Sequence, residues 1–126
     1  MTYSVFDKPL SHRAIGDGGE VLAVDYFTKR GFEIVDQNIQ YRFGEIDLII
    51  RRGLTLHFVE VKYRRSLTYG RPEEAVNYRK LKRVRLAVMR YLQDRGLQAR
   101  DIQIDVLAIL ALPGQEIEYI WISPAV

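Results

Sequence analysis

The chain has 126 residues, 48% of them hydrophobic and 28% charged, with a formal net charge of +3, as expected for one ordinary globular domain. It contains no cysteine and only two histidines, which excludes disulfides, thiolate metal sites and a cysteine nucleophile and disfavours a histidine-rich zinc site. No apolar run reaches membrane-spanning length and no signal-peptide pattern opens the chain, so we expect a cytoplasmic protein without a membrane partner.

The first thirty or so residues divide into an arm and a helix. Residues 1–13 show no clear period and are expected to form a mobile arm, so that residues 14–126 make up a single domain. A helix is predicted from about Asp17, a candidate cap, to Arg30. Glu20 falls within the apolar stripe of this helix, where a carboxylate is unusual. It either has a function there or reaches solvent at the helix start, and the sequence favours neither alternative.

Three strands follow the helix, and the last two form a predicted hairpin. The first strand covers residues 32–41 with an irregularity at 36–38, and the hairpin strands cover 44–50 and 56–62. We expect a two-residue turn at positions 52–53, because the second of them is glycine, which can take the positive φ that such a turn requires.

The hairpin carries charged residues among apolar ones. Because side chains alternate along a strand, Glu60 and Lys62 share one face, and His57 lies on the other face as a packing histidine. A two- or four-residue turn brings Asp47 to the Glu60 face, whereas a three-residue loop turns it away. Two buried carboxylates need a cation or a proton, and such oxygen ligands suit Mg²⁺ or Mn²⁺. The alternative is an ion pair of Lys62 on a solvated face, which the surrounding Ile, Leu, Val and Phe residues disfavour.

A strongly basic segment follows the hairpin. Residues 61–100 hold 12 Lys and Arg against 3 Asp and Glu, whereas the rest of the chain holds 7 against 13. Within this segment a polar loop leads to a helix from Pro72 to about Arg95, with room for a break near Asn77. The segregation of charge favours a polyanion-binding surface, and a solvated helix face is the simpler alternative.

Two further strands end the chain, predicted over residues 102–112 and 117–122 with a turn at Pro113 and Gly114. The order of one helix, three strands, a long helix and two strands is typical of an α/β domain with a mixed sheet. No glycine-rich phosphate loop follows a strand, which excludes that kind of nucleotide-binding motif. At this size a second copy would help to bury apolar surface, so a homodimer is a further expectation.

A set of residues spread along the chain carries a resemblance to a known family. It comprises Gly16, Gly19, Glu20, Ala23, Gly31, the segments 44–49, 58–62 and 74–76, Lys80, Asp105 and Val106. In this order they resemble the restriction-endonuclease-like, or PD-(D/E)XK, nuclease fold, and more closely the YraN-like family of predicted endonucleases. The resemblance extends from about Gly16 to Trp121, and Ile46 stands where the fold would have its nominal proline.

The resemblance implies a metal-dependent nuclease with a restriction-endonuclease-like core, a mixed β-sheet flanked by helices. Its catalytic residues would be Glu20, Asp47, Glu60 and Lys62, with the three carboxylates binding Mg²⁺ or Mn²⁺ and the lysine orienting the attacking water. DNA, branched or damaged DNA included, would be held without sequence specificity by Arg64, Arg65, Arg71, Lys80, Arg83, Tyr63 and Tyr69. The alternative is a catalytically silent nucleic-acid-binding module on the same fold, which explains the basic segment equally well.

Overall fold

The computed structural model describes residues 18–97 and 101–126. The arm predicted over residues 1–13 and the cap predicted at Asp17 lie outside this part of the chain. In chain order the elements are helix α1 (Gly19–Lys29), strands β1 (Glu33–Tyr41), β2 (Gly44–Arg52) and β3 (Thr55–Arg64), a 3-10 helix (Pro72–Ala75), helix α2 (Tyr78–Arg95) and strands β4 (Asp101–Leu110) and β5 (Glu118–Ile122). None of the helices in the described ranges combines the length and the apolar character that crossing a bilayer requires.

The five strands form one mixed sheet in the order β1-β2-β3-β4-β5. Neighbouring strands are antiparallel except for β3 and β4, which run parallel. A parallel pair cannot be joined by a tight turn, and here the 3-10 helix and α2 make the crossover. The predicted α/β class with a mixed sheet flanked by helices is therefore confirmed, and the architecture is consistent with a restriction-endonuclease-like core.

Each face of the sheet is covered by its own helix. The core layer under α2 contains Ile39, Ile46, Ile49, Leu56, Phe58, Leu81, Val84, Ala87, Val88, Tyr91, Ile104 and Val106. The core layer under α1 contains Ala23, Tyr26, Phe27, Phe32, Leu48, Ile50, Val59, Val61, Leu107 and Ile109. Because both faces are covered, the central strands are apolar almost throughout. A carboxylate on one of them is removed from water and needs a specific partner.

The turn between β2 and β3 differs from the sequence prediction by one residue. The turn predicted at positions 52–53 is wrong, because Arg52 pairs with Thr55 and the two turn residues are Gly53 and Leu54. Gly53 has the expected positive φ, at 60°. Because the two-residue turn starts one residue later, each residue of β2 pairs with a residue two positions further along β3 than predicted. The faces that the side chains occupy are therefore unchanged.

A β-bulge lies just before residues 36–38, where an irregularity was predicted, and within that range Asn38 has a positive φ of 54° and Asp36 is buried. The register between β1 and β2 shifts between Ile34 and Asp36. The Asp36 carboxylate accepts hydrogen bonds from Tyr91 at 3.4 Å and from Arg95 at 3.2 Å, which ties the end of α2 to β1. Burial and the nearby Asp36 carboxylate raise the pKa of Tyr91 to about 12, so its hydroxyl remains a donor at neutral pH.

The break predicted near Asn77 separates the 3-10 helix from α2. The Asn77 side chain accepts hydrogen bonds from the backbone N–H groups of Arg79 (3.0 Å) and Lys80 (3.2 Å). N–H groups in the first turn of a helix have no backbone acceptor within the helix. The Asn77 side chain supplies that acceptor and so determines where α2 begins. The other end is closed by Gly96, which has a φ of 61°.

Replacing Asn77 with alanine should lower the free energy of unfolding by about 1 kcal/mol, because two N–H groups lose their acceptor. Asn77→Ser, which keeps an acceptor oxygen, should remain close to the wild type. Urea denaturation followed by circular dichroism measures both. Equal losses in the two variants would show that the cap does not stabilise α2.

Candidate functional site

Asp47 lies where β2 separates from β3. The paired residues of these strands end at Leu48, and beyond it the N–H of Val61 donates to Asp47 Oδ2 at 2.8 Å. The alternation along β2 breaks at this point, since Ile46 and Ile49 lie in the same core layer although they are three residues apart. The buried Asp47 carboxylate thus takes the place of a backbone acceptor at the end of the ladder.

Glu60 is buried in β3, with two ammonium groups at its carboxylate. The residue is only 4% exposed. Its Oε1 lies 2.7 Å from Nζ of Lys80 and 3.8 Å from Nζ of Lys62. Lys62 is two residues further along the same strand, whereas Lys80 comes from the first turn of α2. The two lysines offset the cost of removing a carboxylate from water.

Asp47 contacts the backbone next to Glu60. The peptide group whose N–H binds Asp47 is the one that joins Glu60 to Val61. Asp47 therefore reaches the backbone of Glu60 across the gap between the strands. That the two carboxylates meet on one face of the sheet stays a prediction.

Glu20, the third predicted carboxylate, begins α1 and is only 2% exposed. Its helix packs on the face of the sheet opposite α2. Within residues 18–97 and 101–126, no three acidic or histidine side chains form a group arranged to hold a metal ion. Glu20, Asp47 and Glu60 therefore do not form a ready-made three-carboxylate cage, and the role of Glu20 stays a prediction.

A narrow cleft lies beside the Glu60 carboxylate, with no space in it large enough for a water molecule. It lies between β3, β4 and the start of α2, and its lining includes Lys62, Asn77, Lys80 and Val106. The capped start of α2 thus forms one wall of the cleft. A ligand would therefore reach the Glu60 carboxylate only if a wall of the cleft, such as the Lys80 side chain, moved.

The side chains predicted to hold DNA differ in their surroundings. The Arg71 guanidinium binds Glu73 at 2.7 Å and also binds Glu118, and it lowers the pKa of Glu73 below its ordinary value. Tyr63 packs against the core layer under α1. The others are at least partly exposed, namely Arg64, Arg65, Tyr69, Lys80 and Arg83. The Arg71 guanidinium is therefore already bound by two carboxylates, although its side chain is about as exposed as that of Lys80 (39% and 36%).

A further buried carboxylate, which the sequence analysis did not assign to a network, lies on the α1 side of the sheet. Asp105 is fully buried, and its Oδ2 lies 2.7 Å from His57 Nδ1 and 3.1 Å from the donating Trp121 Nε1. Phe32 meets the rings of both partners edge to face. His57 is thus a packing histidine, as predicted. The signal for the network was an aspartate within an apolar strand, but its partners are distant in sequence.

Comparison with known proteins covers the part of the chain that holds this site. Residues 19–109 match the family described as "Uncharacterised protein family UPF0102". The chain is similar to a UPF0102 protein of Rhodococcus jostii, at 47% identity over 103 residues that cover 82% of this chain and 87% of the relative. It is also similar to a UPF0102 protein of Dictyoglomus turgidum, at 36% identity over 108 residues that cover 86% and 92%. Asp47, Glu60, Lys62 and Lys80 all lie in the matched range.

The contact between Lys80 and Glu60 should contribute measurably to stability. A double-mutant cycle of Lys80→Met and Glu60→Gln should give a coupling of about 0.5–3 kcal/mol, at the lower end because the Lys80 side chain is 36% exposed. Lys82→Met, on the outer face of the same helix, is the matched control and should leave stability nearly unchanged. Denaturation in a buffer with chelator measures all variants. A coupling of zero would mean that the contact between Lys80 and Glu60 does not contribute to the free energy of unfolding.

Proposed function

The chain belongs to the family UPF0102, and we propose that its site hydrolyses phosphodiester bonds in DNA with the help of Mg²⁺ or Mn²⁺. The observation that carries the proposal is the burial of Asp47 and Glu60 where β2 separates from β3, with Asp47 on the peptide N–H that follows Glu60 and two lysines at the Glu60 carboxylate. Buried charges of this kind add little to stability compared with apolar residues of the same size. Clusters of them beside a cleft are typical of functional sites.

The donor groups fit a hard divalent cation. Mg²⁺ is commonly held by one or two protein carboxylates, with water and substrate phosphates completing its shell, so a three-carboxylate cage is not required. Asp47 and Glu60 would hold the ion, and Glu20 would join them directly or through water. The ion would supply a Lewis acid that polarises the phosphate and makes hydroxide available near neutral pH.

The two lysines would have separate tasks. Lys62, on the same strand and face as Glu60, would orient the attacking water and offset the negative charge that develops on the phosphate. Lys80 would leave Glu60 when a cation binds there, because two cations repel each other at one carboxylate. Its ammonium group would then be available to a phosphate oxygen of the substrate.

The basic segment would hold the sugar–phosphate backbone. Arg64, Arg65 and Arg83 are exposed or half-buried, and contacts of arginine with phosphates carry no sequence information. Arg71 is less suited to this task, because Glu73 and Glu118 already bind its guanidinium. We therefore propose binding that tolerates any sequence and weakens steeply as salt rises.

A nucleic-acid-binding module without turnover is the second candidate function. One observation favours it: Lys62 and Lys80 already balance the charge of Glu60, so the site is electrostatically satisfied without an ion. The two candidates differ in whether a divalent ion binds at Asp47 and Glu60. They also differ in whether any DNA is cleaved.

If an ion binds at Glu60, Lys80 competes with it, and removing that ammonium group should tighten ion binding. Mn²⁺ should raise the melting temperature of the wild type, corresponding to about 2.7 kcal/mol at a hundredfold excess over Kd. Lys80→Gln should reach the same response at several-fold lower Mn²⁺, whereas the control Lys82→Gln should behave as the wild type. Asp47→Asn should lose the response, and an unchanged response in that variant would place the ion elsewhere. Calorimetric melting across a Mn²⁺ titration provides the measurement.

Lys62→Ala should bind DNA nearly as well as the wild type and cleave it about a hundredfold more slowly, since its work is done in the transition state. Cleavage is measured on linear, nicked, single-stranded and four-way-junction DNA with Mg²⁺ and with Mn²⁺. Wild-type rates in Lys62→Ala would make Lys62 a structural partner of Glu60. Binding without cleavage of any of these substrates would favour the silent module.

A further inference from the structure

A groove of about 580 Å³ lies between the β1–β2 turn and the N-terminal part of α2. Asn77 and Lys80 line both this groove and the narrow cleft beside Glu60, so the groove adjoins the candidate site. A strand whose phosphate reacts at Glu60 would have its neighbouring nucleotides at this groove. The chemistry of the groove therefore bears on which form of nucleic acid the site accepts.

The groove is built on a direct contact between two backbones. A Cβ added at Gly44 would lie 3.0 Å from the carbonyl oxygen of Arg83 and 3.4 Å from the carbonyl carbon. The start of β2 and α2 thus approach so closely that a residue with a side chain at position 44 would push the helix backbone away by a few tenths of an ångström. This contact holds the turn and the helix at a fixed separation.

Cationic side chains dominate the lining. Arg42 on the turn and Arg79, Lys80 and Arg83 on α2 face a single carboxylate, that of Glu45. In the described part of the chain, neither Arg79 nor Arg83 forms an ion pair. Positions 79, 80 and 83 are spaced so that their side chains share one face of the helix. The groove therefore suits a run of phosphates.

Two stacked aromatic rings stand at the turn. The rings of Tyr41 and Phe43 are parallel within 3°, with their centroids 5.7 Å apart. Phe43 is 41% exposed and forms the open end of the pair. Burial, with a further contribution from Asp94, raises the pKa of Tyr41, so its ring is uncharged at neutral pH. Such a pair is a platform on which another flat ring can stack.

We infer that this groove binds unpaired nucleotides of a nucleic-acid strand, with a base stacked on Phe43 and the flanking phosphates on Arg42, Arg79 and Arg83. A base inside a duplex cannot stack on a side chain until it leaves the helix, because its neighbours cover both of its faces. The inference rests on the proposed function for its placement beside the reacting phosphate, and it narrows the substrate to one with an unpaired strand there. Binding in the groove itself needs neither an ion nor turnover.

The first test measures binding of short single strands and duplexes to the full chain by fluorescence anisotropy, in chelator. Phe43→Ala should weaken single-strand binding about fivefold or more, since stacking on an aromatic side chain is lost. Duplex binding should not change, and Phe43→Trp should bind like the wild type. Leu54→Ala is the matched control, because Leu54 is an exposed apolar residue (63%) at the opposite turn of β2. On a strand that lacks bases, Phe43→Ala and the wild type should bind equally.

The second test separates the groove from the overall charge. Arg79→Ala and Arg85→Ala remove the same charge from the same helix, but Arg85 lies outside the groove. Arg79→Ala should weaken single-strand binding more than Arg85→Ala and should lower the salt slope by about 0.7. Equal losses in the two variants would contradict the inference. DNA and RNA strands are tested in parallel, and a preference for either identifies which strand the groove takes.

The outcomes separate this inference from the proposed nuclease. If Phe43→Ala binds single strands as tightly as Leu54→Ala, the inference is overturned, even if the protein cleaves DNA. If single-strand binding depends on Phe43 and no substrate is cleaved, the inference stands and the nuclease proposal fails. If both depend on their predicted residues, the protein acts on strands that are unpaired next to the reacting phosphate.

Discussion

The charge of Glu60, buried in a sheet that is covered on both faces, is the constraint on which the rest of the site depends. Moving a carboxylate out of water costs several kcal/mol unless a cation lies close to it. Here the cation at 2.7 Å is Lys80, which belongs to the crossover helix rather than to the sheet. The start of α2 must therefore lie at the correct height above β3. The Asn77 cap and the contact between Gly44 and Arg83 hold it there.

The separation of β2 from β3 at Asp47 produces the other half of the site. A continuous ladder would occupy the N–H of Val61 with a backbone acceptor, but the strands part and a carboxylate takes that position instead. The separation costs ladder hydrogen bonds and places a charged group beside Glu60. Neither the loss of ladder hydrogen bonds nor the added buried charge stabilises the sheet, so the arrangement points to a function. A site that has to hold charge at a fixed place needs such rigid support.

The network around Asp105 contrasts with Glu60, because the buried Asp105 carboxylate does not line the cleft and has different partners. Its partners are His57 and Trp121, both in the core under α1, and the aromatic ring of Phe32 closes against them. Donors of this kind satisfy the carboxylate within the protein. Glu60 instead depends on lysines that are partly exposed and that other charged groups can displace. The carboxylate whose partners are partly exposed lysines is therefore the better candidate for chemistry, and the Asp105 carboxylate holds β3, β4 and β5 together.

By itself the sequence determined the features that depend on near neighbours in the chain. The period of apolar residues predicted the helices and strands, the glycine at position 53 predicted a tight turn, and strand alternation predicted that Asp47 and Glu60 would meet. The turn begins one residue later than predicted, and because its length is unchanged the paired residues keep their faces. The meeting of the Asp47 and Glu60 carboxylates stays a prediction. The sequence also revealed the basic segment, and the family resemblance pointed to the hairpin carboxylates.

Only the tertiary structure decided which distant groups meet. Lys80 reaches Glu60, Arg95 reaches Asp36 and His57 reaches Asp105 because the crossover and the strand order bring them together. No local period records these contacts. The same holds for the groove, whose aromatic and cationic walls come from a turn and a helix that are far apart in sequence. Local sequence patterns determine the face on which a side chain lies, whereas the packing of helices and strands determines which groups it contacts. The chemistry of this site depends on the packing, because Glu60 and Lys80 come from different elements.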